Sequence, residues 1–303
     1  MTDHLTDAVP SYRLITDHKA LEAVMPDLMG EEVVAMDIEA DSMYHFKEKV
    51  CLIQLATKAK TYIVDPLEVQ DMSALKPLFA DRAIKKIFHG ADYDVRSIYR
   101  DFKIDVHQLF DTQLASMFLC IRETGLDAVL KNRFNVKLDK KFQRKDWSIR
   151  PLPAEMLAYA AKDAVYLVRL AEALETELRA KSRLDWVAEE CTLLSRVRPP
   201  ENNGTPLFLK CRGAGKLKRT ELAVLEELLK LRRVIASRKD RPLFKVFGNN
   251  SLIKIATRGP RSLSSLERLR ALSPRQVTKH GNDLLAAVEA GHKVSPDSLP
   301  VYP

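Results

Sequence analysis

Apolar positions in the first 110 residues come in short β-rich runs: VVAMDI from Val33, VCLIQLA from Val50, TYIVD from Thr61 and AIKKIF from Ala83. Each run is followed by polar or turn-forming residues, and helical patterns lie between them, which predicts a mixed α/β sheet. From Thr112 onward the strand signal ends. Between Pro153 and about Arg179, apolar residues at Leu157, Ala160, Ala161, Ala164, Val168 and Ala171 predict one long amphipathic helix with a proline in its first turn. Beyond residue 207, TELAVLEELLKLRRVIASRKD is strongly helical, and SSLERLRAL and NDLLAAVEAG read as short helices separated by Gly, Pro and Ser. That pattern predicts a small all-helical domain.

Between the two patterns lies RVRPPENNGTP, Arg196 to Pro206, rich in residues that disfavour both helix and sheet ladders. The expected organisation is a domain over 1–195, a linker over 196–207, a helical domain over 208–292 and a tail over 293–303. Charge divides at the same place. Residues 199–303 hold 20 Lys and Arg against 9 Asp and Glu, net +11, whereas residues 1–198 are net −3. The excess hints at an anionic partner; a solvated basic surface is the alternative, and a basic module beside an acidic one fits a division of labour better.

Composition narrows the class. With 46% hydrophobic and 30% charged residues in 303, disorder, collagen and coiled coil are excluded. Cysteines at 51, 120, 191 and 211 share no metal-ligand or CxxC spacing, so they read as buried small hydrophobes in a reducing compartment. The N-terminal MTDHLTDAVP carries acids instead of a basic region before an apolar run, and no apolar stretch approaches the roughly 20 residues of a membrane span. A cytoplasmic protein with no membrane partner is expected.

Three places put acids where chemistry can use them. Asp37 and Glu39 follow an apolar strand at spacing i, i+2, so both carboxylates point to one face of the sheet. Burying such a pair demands a compensating charge, and a hard divalent cation with oxygen ligands meets that demand; the alternative is a strand end meeting solvent. In Y159-A-A-K-D163, spacing i, i+4 puts Tyr159 and Asp163 on one helix face. In FHGADYDVRSIYRDF, a strand, a Gly turn and a helix with core face Val95, Ile98, Tyr99 and Phe102 leave Asp92 and Asp94 both flanking the stripe. Periodicity does not choose between them, and either fits a favourable acid at a helix start.

These motifs together resemble ribonuclease D and its relatives, the DEDD-type 3′-to-5′ exonucleases of the ribonuclease H-like fold, over about Tyr12 to Gly291. The first motif stands as VVAMDIEADS followed by VCLIQLA, the second as FHGADYDVRSI, and the third as YAAKDAVYL preceded by KKFQRKDWSIRPLP. TELAVLEELLKLRR, DRPLFKVFGNNSLIKIA and KHGNDLLAAVEAG are similar to the HRDC domain, a small helical bundle that often assists nucleic-acid binding. The implied fold is α/β, a ribonuclease H-like mixed sheet flanked by helices, followed by an all-α HRDC bundle. Bacterial ribonuclease D usually carries two HRDC domains, and this chain has room for one.

The resemblance implies metal ligation by Asp37, Glu39, Asp94 and Asp163, with Tyr159 marking the tyrosine subclass. It also selects Asp94, the family aspartate five residues after the His of H-G-A-x-x-D, and leaves Asp92 as a helix-start acid. The expected cofactors are two divalent ions, Mg2+ or Mn2+, roughly 4 Å apart. Asp37 would bridge them, Glu39 and Asp163 would serve the water-activating ion, and Asp94 the other. Tyr159, with a phenol pKa near the ordinary value of about 10, suits orienting the attacking water better than removing its proton.

The expected activity is 3′-to-5′ hydrolysis of structured RNA with a free 3′ end, tRNA precursors among them, releasing nucleoside 5′-monophosphates. The alternatives are a 3′-5′ DNA exonuclease, since the same acids hydrolyse either polymer, or a catalytically silent nucleic-acid-binding protein. RGAGKLKRT is rejected as a phosphate loop, because Leu217 stands where Ser or Thr would bind magnesium and the upstream glycine is missing. His89 reads as a structural histidine at a strand end, Asp111 as a helix cap and Asp65 as a turn residue.

Overall fold

The computed structural model describes residues 11–200 and 204–303. The N-terminal decapeptide and the linker residues 201–203, on which two of the expectations above fall, lie outside the described residues. The chain divides into two units: residues 1–41 with 49–200, and residues 42–48 with 201–303.

The first unit is built on a six-stranded sheet of β1 (Arg13–Ile15), β2 (Val33–Ala40), β3 (Val50–Ala56), β4 (Thr61–Val64), β5 (Lys85–Phe88) and β6 (Leu109–Asp111), in the order β1-β4-β3-β2-β5-β6. β3 runs antiparallel to both neighbours, while β1 with β4, β2 with β5 and β5 with β6 are parallel. The four strands expected from the sequence are present. The three-residue strands β1 and β6 went unforeseen, being too short to display an alternation. β3 is buried at all positions, as a central strand covered on both faces requires.

Helices α1 (His18–Met29), α2 (Pro66–Val69), α3 (Lys76–Ala80), α4 (Asp92–Phe102), α5 (Thr112–Phe118), α6 (Leu126–Phe134), α7 (Ala154–Val165), α8 (Leu167–Ala180) and α9 (Leu184–Leu194) surround the sheet. The single helix expected over 153–179 is two. Pro153 stands before the first turn as its cap, and one helix ends and the next begins at Tyr166, whose backbone stays in the right-handed region at φ −88°, ψ −12°. The break follows Val165 and Tyr166, a β-branched and an aromatic residue that hold a helix weakly. α7 packs on β2, β3 and β4, whereas α8 packs on β2 and β5. The apolar stripe spans the break, since Ala160, Ala161, Ala164, Val168 and Ala171 are all buried.

The second unit is helical: α10 (Arg219–Lys239), α11 (Leu243–Val246), α12 (Asn249–Arg258), α13 (Leu263–Arg268) and α14 (Pro274–His292). α14 is longer than expected, because Ser273 caps it and Pro274 opens it well upstream of NDLLAAVEAG. Leu225, Leu228, Ile235, Leu252, Ile255, Leu284 and Val288 close its core, each buried aliphatic side chain contributing about 1.5–3 kcal/mol. Gly291 permits the close approach of α14 to α10, since a Cβ there would lie 2.4 Å from Val224 Cα. Cys51, Cys191 and Cys211 are buried as expected, but Cys120 is exposed at φ 61° in the turn that ends α5. No helix among the described residues is long and apolar enough to cross a membrane.

Candidate functional site

The carboxyl ends of the parallel strands β2, β5 and β6 meet at one side of the sheet. Ligands favour that side of an α/β sheet, where chain turns and helix starts converge. β2 brings Asp37 and Glu39, paired in register with Gln54 and Leu52 of β3, and a bulge follows Glu39. The apolar residues around them, Met36 and Ile38, are buried and anchor the strand. α7 adds Tyr159 and Asp163, one helical turn apart. Oxygens of Asp37, Glu39 and Asp163 lie within 4.8 Å of one another.

Asp94 enters from α4, directly after β5. It is buried, its charge acts on Glu39, and it is itself raised by the charge of Asp37. Its oxygens are outside the 4.8 Å set of the other three. Asp92, two residues earlier, is exposed and pairs with Arg96 at 2.8 Å. The alternative left open by periodicity is thus resolved by burial, with Asp94 on the side of the acids and Asp92 in an ordinary i, i+4 surface pair.

Electrostatics identify an uncompensated cluster. Burial, opposed by an N–H bond from Ile38, pushes the Asp37 carboxyl up to about 7. Burial and then the Asp37 charge raise Asp163 to about 8, against the hydrogen bond from Tyr159. Glu39 is held well above its ordinary range by burial, followed by Asp37, Asp163 and Asp94. Asp94 is raised by burial, then by Asp37, Asp111 and Asp92. Tyr159 is raised by burial and by its acidic neighbours, so the phenol keeps its proton and donates it to Asp163. All the cluster's donors are hard oxygens, the set that suits Mg2+ or Mn2+.

Asp37, Tyr159 and Asp163 line a cavity of about 380 Å³ whose walls include neither Glu39 nor Asp94, and several of its other walls were missed by sequence reasoning. Gln113 of α5 and the 138–143 segment, with Lys140 and Gln143, line it. Phe142 meets the Tyr159 ring edge-on at 5.7 Å and buried Trp147 lies 6.1 Å from it. The aromatic residues in KKFQRKDW were the available signal. His89 also lines the cavity. Its Nδ1 is 2.9 Å from the Thr112 hydroxyl, the fixed partner expected of a structural histidine.

Asp111 does more than cap α5. Its carboxylate accepts from Gln113 and Leu114 at that helix start, and also from the N–H groups of Gly90 and Ala91 at 3.0 and 2.8 Å. It thereby fixes the turn between β5 and α4 that delivers Asp94. Gly90, at φ 78°, supplies the left-handed geometry the turn needs. Asp65 caps α2 and pairs with Arg150, tying the segment before α7 to the end of β4.

Comparison with known proteins agrees with this geometry. A 3′-5′ exonuclease family model matches residues 12–179, and an HRDC domain model matches residues 221–288. Ribonuclease D of Bartonella henselae is 31% identical over 296 residues, 96% of this chain and 72% of that protein. The crystal structure of Escherichia coli RNase D superposes with a TM-score of 0.80 at 30% identity, covering 96% of this chain and 78% of that one. The catalytic core of RRP6 from Trypanosoma brucei gives 0.81 at 30% identity, covering 96% and 82%.

The sheet, the acid cluster and the helical second unit define a 3′-5′ exonuclease with an HRDC domain. Within that class, the chain belongs to the ribonuclease D family and is a 3′-5′ exoribonuclease. The family implies divalent metal ions, and the acid cluster offers them a fitting donor set.

Proposed function

We propose that this exoribonuclease trims the 3′ ends of structured RNA in the cytoplasm, tRNA precursors among them, releasing nucleoside 5′-monophosphates. The observation that carries the catalytic reading is the convergence of Asp37, Glu39 and Asp163 within 4.8 Å, with Tyr159 hydrogen-bonded to Asp163. The substrate reading is supported by the E. coli relative, described as an exoribonuclease involved in structured RNA processing. The proposed division runs 1–195 for the exonuclease, 196–207 for the linker, 208–292 for the HRDC domain and 293–303 for the tail.

In this reading Asp37, Glu39, Asp94 and Asp163 hold two Mg2+ or Mn2+ ions. Divalent cations there supply positive charge at the scissile phosphate and make water nucleophilic near neutral pH. The chain's own residues do the rest. The carboxylates fix where charge is compensated, and Tyr159, which keeps its proton, directs the attacking water through its hydroxyl. Phe142 and Trp147 hold the Tyr159 ring in place.

A timed digestion of 5′-labelled RNA, beside the same sequence as DNA and with or without Mg2+ or Mn2+, tests polarity, metal need and sugar preference together. The expected result is a metal-dependent ladder shortening by single nucleotides from the 3′ end, faster on RNA, and abolished by Asp37→Ala. A matched or faster DNA ladder would overturn the RNA assignment, and a fully active Asp37→Ala protein would overturn the site.

A further inference from the structure

We propose that the exonuclease unit carries a second anion site, at the amino-terminal ends of β5 and β6, which binds a small phosphate-bearing molecule of about mononucleotide size. A recess of about 360 Å³ lies there between the strand ends, α8 and α9. Lys85 is in register with Val33 of β2, four residues before Asp37. At roughly 3.3 Å per residue that sets the recess about 13 Å along the strand from the first catalytic acid, at the opposite end of the sheet. It is therefore separate from the cavity described above.

Five cations line the recess: Arg82, Lys85, Arg179, Arg196 and Arg198. Two acids face them. Glu175 takes Lys85 and, at 3.5 Å, Arg179, while Asp105 takes Arg198. Arg82 and Arg196 have no hydrogen-bond or ion-pair partner for their guanidinium groups among the described residues, and the lysines, arginines and acids of the recess sum to +3. An arginine fork matches phosphate oxygens bidentately, and two of them converging on one recess suit a phosphate dianion.

The remaining walls suit an organic group. Leu109 and Phe110 are buried at the recess, and the Lys85 ammonium lies 5.7 Å from the Phe110 ring centre. The volume falls at the lower end of small-ligand cavities, roughly 300–1,000 Å³, which fits one mononucleotide. Inorganic phosphate shares the charged part of that chemistry. The assignment rests on the recess alone and stands or falls separately from the hydrolytic reading.

The test is calorimetric titration of adenosine 5′-monophosphate, and separately of inorganic phosphate, into the full chain held metal-free with EDTA. Saturable binding is expected, weakened at least tenfold in Arg82→Gln/Arg196→Gln, with RNA hydrolysis by that variant unchanged. Both side chains are exposed, so the thermal midpoint without ligand should not move. Thr192→Glu, which brings a carboxylate into the recess from α9, should weaken binding likewise. Tighter binding of the nucleotide than of phosphate assigns the site to nucleotides, and equal binding assigns it to free phosphate. Absence of saturable binding, unaltered affinity in both variants, or binding of a short single-stranded RNA but neither small anion would overturn the proposal.

Discussion

Tyr159 holds its proton because burial and three neighbouring acids make a phenolate expensive. Those surroundings disfavour a general-base role and favour a positioning one. Tyr159→Phe keeps the ring packed between Phe142 and Trp147 while removing the hydroxyl that meets Asp163. Single-turnover hydrolysis should slow by about 10²-fold, the lower range for losing a positioned proton-handling group, while RNA affinity by filter binding changes less than twofold. An equal loss in both would mark the phenol as a substrate-binding group. The acids themselves predict a pH effect. In the metal-free protein Asp37 is raised to about 7, so its folded form binds a proton more tightly than its unfolded form. That contribution to stability is full below about pH 4 and is lost as pH rises toward 8. Asp37→Asn, measured in EDTA, should match wild type in thermal midpoint near pH 4 and exceed it by several degrees at pH 8. A divalent ion added to wild type should narrow the gap, whereas equal midpoints at pH 8 would show that burial does not strain the Asp37 carboxylate. At this scale the sequence was informative in part. The i, i+2 and i, i+4 spacings made Asp37, Glu39, Tyr159 and Asp163 candidates only, since such pairs are common on strands and helices, and it was the resemblance to ribonuclease D that joined them into one set. Asp92 and Asp94 were indistinguishable by period, because both flank the stripe and only the packing of α4 buries one of them.

Elements position those residues, and the joint between β5 and α4 is the most dependent on a single side chain. Four backbone N–H groups converge on Asp111, two of them in the turn that begins α4. Asp111→Ala leaves those donors without an acceptor in a buried place, a loss of about 2–4 kcal/mol by the usual range for charged hydrogen bonds and orphaned polar groups. Denaturant unfolding should show that loss, and the hydrolytic rate at a temperature where the variant is folded should fall as well, since Asp94 rides on the freed turn. A destabilised variant with wild-type turnover would confine Asp111 to a structural role. The sequence offered Asp111 as a cap for one helix only. Its second set of partners lies about twenty residues earlier, a pairing created by the parallel register of β5 with β6, which no local pattern encodes. The same reason hid β6 itself. By contrast VVAMDI and VCLIQLA were legible because central strands need long apolar runs, and the break at Tyr166 was obscured because the buried stripe continues across it.

Across the whole chain, charge is the property most unevenly distributed, net +11 in residues 199–303 against −3 before them. Nothing in the acid cluster requires that excess, since its carboxylates all belong to the first unit. Sequence composition made this division visible without any structure, because a sum over many residues survives uncertainty about each one. Single-stranded RNA releases counterions when lysines and arginines meet its phosphates, and log affinity then falls with log salt at about 0.7 per phosphate neutralised. If the helical unit supplies most of those contacts, removing residues 208–303 should weaken RNA binding strongly at low salt and flatten its salt dependence by several phosphate equivalents. The single-turnover rate at saturating RNA should stay within a few-fold, because Asp37, Glu39, Asp94, Tyr159 and Asp163 all remain. Titrations at four salt concentrations, paired with single-turnover hydrolysis, separate the two effects. An unchanged slope would assign the RNA contacts to the exonuclease unit and leave the basic helices free for another anionic partner. A collapse of the rate with an unchanged slope would show instead that the helical unit supports the folding of the first.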